Sequence, residues 1–181
     1  VLFRSVAPGI GALHGVRQPL LKTVARSFRQ SARGASTDLL LRVANGLLHE
    51  PHQEPHWLAM GILERTVDRD PERTWQLIRL AARTAGDWIA VDTLAHAAAR
   101  GILLEPYRWA ELEQLAFSPS RWERRLIGST IATLPFEAGP GTDLRETVRR
   151  RALPILGQLM GDREPDVQKA LAWRSEEHTS E

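Results

Sequence analysis

Apolar residues recur at spacings of three and four along nearly the whole chain, and no stretch alternates apolar and polar long enough for a strand. The pattern predicts an all-helical protein. Proline falls where it suits a first helical turn, with an acidic or hydroxyl residue before it, at Glu54-Pro55, Asp70-Pro71, Glu105-Pro106, Ser118-Pro119 and Glu164-Pro165; Asp38 and Asp87 look like further start signals. The predicted helices are 19–30, 37–49, 55–68, 71–84, 88–100, 106–116, 119–134, 143–160 and 165–173, with Pro154 expected to kink or break the eighth. Short links and the absence of a Gly/Ser linker point to one domain of stacked antiparallel helix pairs. A HEAT-like α-solenoid fits best and a compact bundle is the competing fold. Stacked pairs make a concave surface, and a concave surface carrying arginine suits a rod-shaped polyanion.

Composition narrows the function classes. With 181 residues, 43% of them hydrophobic and 25% charged, the chain can bury a real core and is no disordered tail. It has no apolar run approaching the roughly 18 residues of a membrane span. Without cysteine there is no disulfide scaffold, thiolate zinc site or cysteine nucleophile. The formal charge is only +2, yet the 24 basic residues are all arginine except Lys22 and Lys169. Arginine is the residue of bidentate phosphate contacts and stacking, although a high-GC genome enriches it as well.

The two termini resemble translated sequencing adapter. Back-translating residues 174–178, RSEEH, as AGATCGGAAGAGCAC and taking the reverse complement gives DNA that reads VLFRS, the first five residues. Val1–Ser5 and Arg174–Glu181 are therefore expected to be foreign, and 6–173 to be a single domain truncated at both ends.

The segment from Asp87 to His96 carries the most chemistry. Trp88 and Asp92 are four apart and share a helix face. The same wheel sets Ala95 and Ala99 beside them as a shallow floor that a polymer backbone could approach, and turns Val91, Leu94 and Ala98 toward a core. The plainer alternative is that Trp88 is a core aromatic and Asp92 a solvated residue paired with His96. In the helix after Ser118-Pro119, Arg121, Arg125, Gly128 and Ala132 form one stripe with Ser129 adjacent, so two guanidinium groups over small residues could reach phosphates. Alternatively Glu123 and neighbouring acids pair these arginines at the surface. Arg149-Arg150-Arg151 reads as a solvated helix face, and Trp173 as the core residue of an amphipathic helix. The histidines His14, His49, His52, His56 and His96 form no metal-binding pair on a shared helix; His49, His52 and His56 straddle Pro51 and Pro55. No phosphate-cradling glycine loop and no Ser-His-Asp arrangement is present.

Taken in order, Gly15-Val16-Arg17-Gln18-Pro19, the acidic helix around Glu64, Trp88-x-x-Val91-Asp92, Trp122-x-x-Arg125 and Gln168-Lys169-Ala170-Leu171-Ala172-Trp173 resemble the AlkD-like DNA alkylation repair glycosylases, a family of HEAT-like repeats. The resemblance runs from about Gly15 to Trp173. It implies hydrolysis of the N-glycosidic bond of purines alkylated at N3 or N7 in duplex DNA, with no cofactor and no metal. Position by position it implies that Asp92 is the catalytic carboxylate, that Trp88 and Trp173 lie against the lesion's sugar and backbone, and that Arg125 contacts phosphate; Arg121 and Ser129, beside Arg125 on the helix stripe, are expected as further phosphate ligands from their spacing. A carboxylate between aromatic walls suits the oxocarbenium-like sugar such a reaction forms. Neither Lys22 nor Lys169 lies near Asp92 in the motif order, which favours a monofunctional hydrolase without Schiff-base lyase chemistry. The expected setting is a bacterial, cytoplasmic, nucleoid-associated monomer without membrane contact. The competing expectation is a non-catalytic HEAT-like module that binds DNA or a protein partner.

Overall fold

The structure, a computed structural model, describes residues 10–177, with side chains through residue 172. The expected adapter residues at 1–5 and 178–181 lie outside the described residues, and so does the side chain of Trp173.

Nine helices follow one another among the described residues: α1 (Gln18–Ser31), α2 (Thr37–Leu48), α3 (Gln53–Thr66), α4 (Pro71–Thr84), α5 (Trp88–Leu104), α6 (Arg108–Gln114, continued by a 3-10 turn at Leu115–Phe117), α7 (Arg121–Ala138), α8 and α9 (Pro165–Glu177). α8 is composite, with a first turn Arg145–Thr147, a π turn Val148–Ala152 and a last segment Leu153–Leu159. Among the described residues there is no strand, only an isolated bridge between Ala12 and His52.

The helix starts have identifiable causes. Asp70 and Asp87 each accept a hydrogen bond from a backbone N–H three residues on, Arg73 and Ala90, both at 3.0 Å. At α2 the cap is Ser36, whose hydroxyl accepts from the Leu39 N–H at 3.2 Å, while the expected starter Asp38 lies inside the first turn and pairs with Arg42 and Arg73. Glu54 differs more from expectation. α3 begins before it at Gln53, and the buried Glu54 carboxylate instead accepts from the N–H groups of His14 (3.0 Å), Gly15 (2.9 Å) and Val16 (3.3 Å). Gly15 makes this wrapping possible with a φ of 81°. Burial pushes the Glu54 pKa up, but the backbone donors together hold it below the ordinary glutamate value.

Proline inside helices is handled in two ways. α7 continues through Pro135 to Ala138, past its expected end. The break expected at Pro154 takes the form of the π turn just before it, which widens the backbone where the proline ring would meet the carbonyl four residues back.

α5 sits at the centre, packed on α3, α4 and α7, while α7 is also covered by α9. Leu63, Trp75, Ile78, Val91, Leu94, Ile102, Leu126, Ile127 and Ile131 are sealed from water in one continuous cluster. Each such side chain contributes about 1.5–3 kcal/mol by burial. Arg108 is buried too, at 0% side-chain exposure: it donates to Glu72, Glu105 and Glu111 and lies 5.1 Å from the Trp75 ring centroid. The result is an all-α, solenoid-like stack of antiparallel helix pairs in which the odd-numbered helices α3, α5, α7 and α9 lie side by side.

Candidate active site

The N-terminal halves of α5 and α7 and the start of α9 meet at one ionic centre. The Asp87 cap fixes where α5 begins, so Trp88 stands on its first turn and Asp92 one turn later. From α7, Arg125 meets the Asp92 carboxylate as a fork, Nε to Oδ1 at 3.0 Å and Nη2 to Oδ2 at 2.8 Å. The Ser129 hydroxyl, one turn further along α7, donates to Asp92 Oδ1 at 2.6 Å. Arg125 Nη1 donates to the backbone carbonyl of Asp166 in α9 at 2.5 Å, and the guanidinium carbon lies 5.9 Å from the Trp88 ring centroid. Asp92 therefore faces Arg125 and not His96, whose imidazole pairs with Glu137 at 2.8 Å.

A carboxylate offers about four acceptor positions. Among the described residues, donors occupy both on Oδ1 and one on Oδ2, leaving one position on Oδ2 for a water or a ligand. The Asp92 side chain keeps 13% of its exposure and Arg125 only 6%. Such a group is a fixed negative charge whose orientation two side chains impose.

Burial corrects several expectations about the surroundings. Ala95 and Ala99 do not form an open floor; both are fully buried. The open edge of α5 is instead the strip Trp88, Ile89, Asp92, Thr93, His96 and Arg100, each half-buried. Gly128 does not offer a free surface to phosphate. A Cβ there would lie 3.0 Å from both the carbonyl carbon and the Cβ of Ala170, so this glycine lets α9 close directly onto α7. Ser129 is sealed at 0% exposure, and its hydroxyl is committed to Asp92. Glu123 does not pair Arg121 or Arg125: it accepts from Arg83 at 3.2 Å and from the Ser118 hydroxyl. Arg121 remains the more open cation, 45% exposed, stacked 4.6 Å from the Trp122 ring centroid and loosely opposite Glu164 (3.6 Å) and Asp166 (3.8 Å). Trp173 belongs to α9, three residues beyond the Ala170 that meets Gly128.

Other contacts were not foreseen. Arg124 ties two turns together, with its Nε 2.6 Å from Asp162 and its Nη1 donating to the carbonyls of Ser118 (2.7 Å) and Pro119 (3.1 Å). Arg149 and Arg150 pair with Glu146 on an exposed face, the solvated arrangement expected of that run. Burial raises the Glu64 pKa above the ordinary glutamate value; Glu137 adds to the rise, while His96, Arg100 and Arg29 oppose it. Burial also raises that of Asp87, and Asp92 adds to the rise against the N–H groups of Ala90 and Ile89. Lys22 is closer to the centre than its place in the sequence suggests. With Leu21, Trp57, Ile89 and Thr93 it lines a mainly apolar hollow of about 270 Å³ between α1, α3 and α5, beside the turn that carries Asp92.

Among the described residues no group of acids and histidines is placed to hold a metal ion, and no helix is long and apolar enough to cross a membrane. A family model described as DNA alkylation repair enzyme matches residues 10–174. No curated protein matches the chain.

Proposed function

Because the chain belongs to the DNA alkylation repair enzyme family, we propose that it is a monofunctional glycosylase that releases N3- or N7-alkylated purines from duplex DNA. The observation that carries this reading is the Asp92 carboxylate, held by Arg125 and Ser129 beside Trp88 with one acceptor position open. An N3- or N7-alkylated purine is cationic. When the bond from C1′ to the base nitrogen breaks, the electron pair leaves with a neutral purine and positive charge develops on the deoxyribose. Asp92 stabilises that charge and accepts a hydrogen bond from the water that adds to C1′, and as the abasic sugar forms the water's extra proton passes to solvent. Trp88, and Trp173 from α9, flank the sugar, and the Trp88 face attracts the cation. Arg121, being open, takes phosphate directly; Arg125 uses the N–H groups it does not spend on Asp92 and Asp166. Ser129 acts by orienting Asp92, which replaces the phosphate contact expected of it.

Lys22 is exposed to water, whereas a lyase needs a desolvated amine to form a Schiff base. The repeats are HEAT-like, the protein works as a monomer on duplex DNA in the cytoplasm of a bacterium, and residues 1–5 and 174–181 are adapter-derived. A second reading, a non-catalytic module that binds DNA or a protein partner, draws on the same ion pair, since a fork between Arg125 and Asp92 also serves as a structural tie. Incubation with methylated duplex DNA separates the two. The glycosylase releases free 3-methyladenine or 7-methylguanine, leaves the strand uncut until alkali treatment and gives no borohydride-trapped adduct. Binding without base release would support the module.

A further inference from the structure

The arginines that the ionic centre leaves unused are concentrated at α1. Residues 17–33 contain five cations, Arg17, Lys22, Arg26, Arg29 and Arg33, and no acid, whereas the remainder of 6–173 holds 17 basic and 19 acidic residues. The whole positive excess of that span lies in this one segment. The spacing from Lys22 to Arg26 and Arg29 is four and three, which sets these side chains in one row along α1, and Arg33 follows four residues on in the turn just past the helix end. The apolar side of α1, Leu21, Ala25 and Phe28, is half-buried against the body, and the row beside it is exposed.

Arg26, Arg29 and Arg33 line a hollow of about 350 Å³ together with Arg65 of α3. Among the described residues none of these four guanidinium groups makes an ion pair or hydrogen bond, although Arg29 feels the charge of the half-buried Glu64. Four cations facing one hollow repel one another, and among the described residues no carboxylate pairs with any of them; Glu64 acts on Arg29 only through its field. From Lys22 to Arg33 the row extends about 16 Å, the axial rise of about five successive phosphates on one strand. That length fits a repeating polyanion better than a single small anion. The row begins at the hollow lined by Lys22 and Thr93, next to Asp92, and leads away from it.

We propose that the Arg26, Arg29, Arg33 and Arg65 cluster is a second phosphodiester-binding site, apart from the Asp92 centre, and that it supplies most of the salt-dependent affinity for the duplex. The proposal rests on the reading of duplex DNA as substrate. Arg125, locked on Asp92, positions groups for chemistry, and this cluster holds the backbone beyond it.

The test is equilibrium binding of the whole chain to an unmodified 20-base-pair duplex over a range of salt. Each phosphate contact contributes about 0.9 to the slope of log K against log salt. The triple variant R26A/R29A/R33A is expected to lose about two to three from that slope and at least about tenfold in affinity near 0.1 M salt. R26K/R29K/R33K keeps the charges and is expected to retain most of both, and R121A to lose no more than about one from the slope. Parent-like slope and affinity in the alanine variant would overturn the proposal. So would a lysine variant as weak as a folded alanine variant, or binding of the parent to phosphatidylserine vesicles without binding to the duplex. The slope is read without base release, so failure of this site and failure of the glycosylase reading are separate results.

Discussion

The arginines of the α5–α7–α9 centre and those of α1 use the same guanidinium group in opposite ways. Arg125 is buried, its fork closed on Asp92 and a third donor spent on the Asp166 carbonyl. Arg26, Arg29 and Arg33 are exposed, with no acid anywhere in their segment. A buried arginine gains from fixed partners because desolvation makes an unpaired charge costly; an exposed one can stay in water until a polyanion arrives. One end of the surface thus holds its charge closed on fixed partners and the other holds it open to water.

The largest effect is expected from breaking the closed pair. Arg125→Ala leaves Asp92 facing the interior without its counter-charge and should destabilise the fold by about 3–5 kcal/mol in urea unfolding. A cost below about 1 kcal/mol would mean that the pair is as replaceable as a surface bridge. Ser129→Ala removes one charge-assisted hydrogen bond in a sealed position. It should cost about 1.5–3 kcal/mol and slow base release, because Asp92 loses one of the two groups that aim it.

Glu54 connects the two regions, since its carboxylate holds the backbone at His14, Gly15 and Val16 just before α1. Its pKa is lower folded than the ordinary 4.5. The stability it adds is therefore complete above that value and is lost as pH falls through the folded-state pKa. Glu54→Gln should cost about 1–3 kcal/mol at neutral pH, with the gap to the parent closing in urea titrations below about pH 4.5. The smallest effect is expected in the open cluster, where R26A/R29A/R33A should change stability by less than about 0.5 kcal/mol per residue. A larger loss would show that these cations support the fold.

How much of this was legible in the sequence depends on whether a feature is local. Helix periodicity and the caps at Asp70 and Asp87 act within a turn or two, so α4 (Pro71–Thr84) agrees with its predicted span at both ends. The pairing of Trp88 with Asp92 on one face follows from the same periodicity. What packs over that face does not: Ala95, Ala99 and Gly128 were small residues with no stated neighbour until α7 and α9 closed over them. Ser129 and Glu54 gained their roles from partners 37 and about 40 residues away. The row on α1 was visible as charge, but only the tertiary structure shows that those arginines lack acid partners while Arg73, Arg100, Arg108, Arg124 and Arg125 have them.

The central claim is that the locked carboxylate, rather than the open cations, performs the chemistry. Its most direct test is single-turnover release of 7-methylguanine from a methylated duplex, comparing the parent with Asp92→Asn at saturating protein and at a temperature where circular dichroism shows both folded. Release is expected to be at least about 100-fold slower from the asparagine variant, with duplex binding retained through α1. Equal rates of release from the two proteins would contradict it.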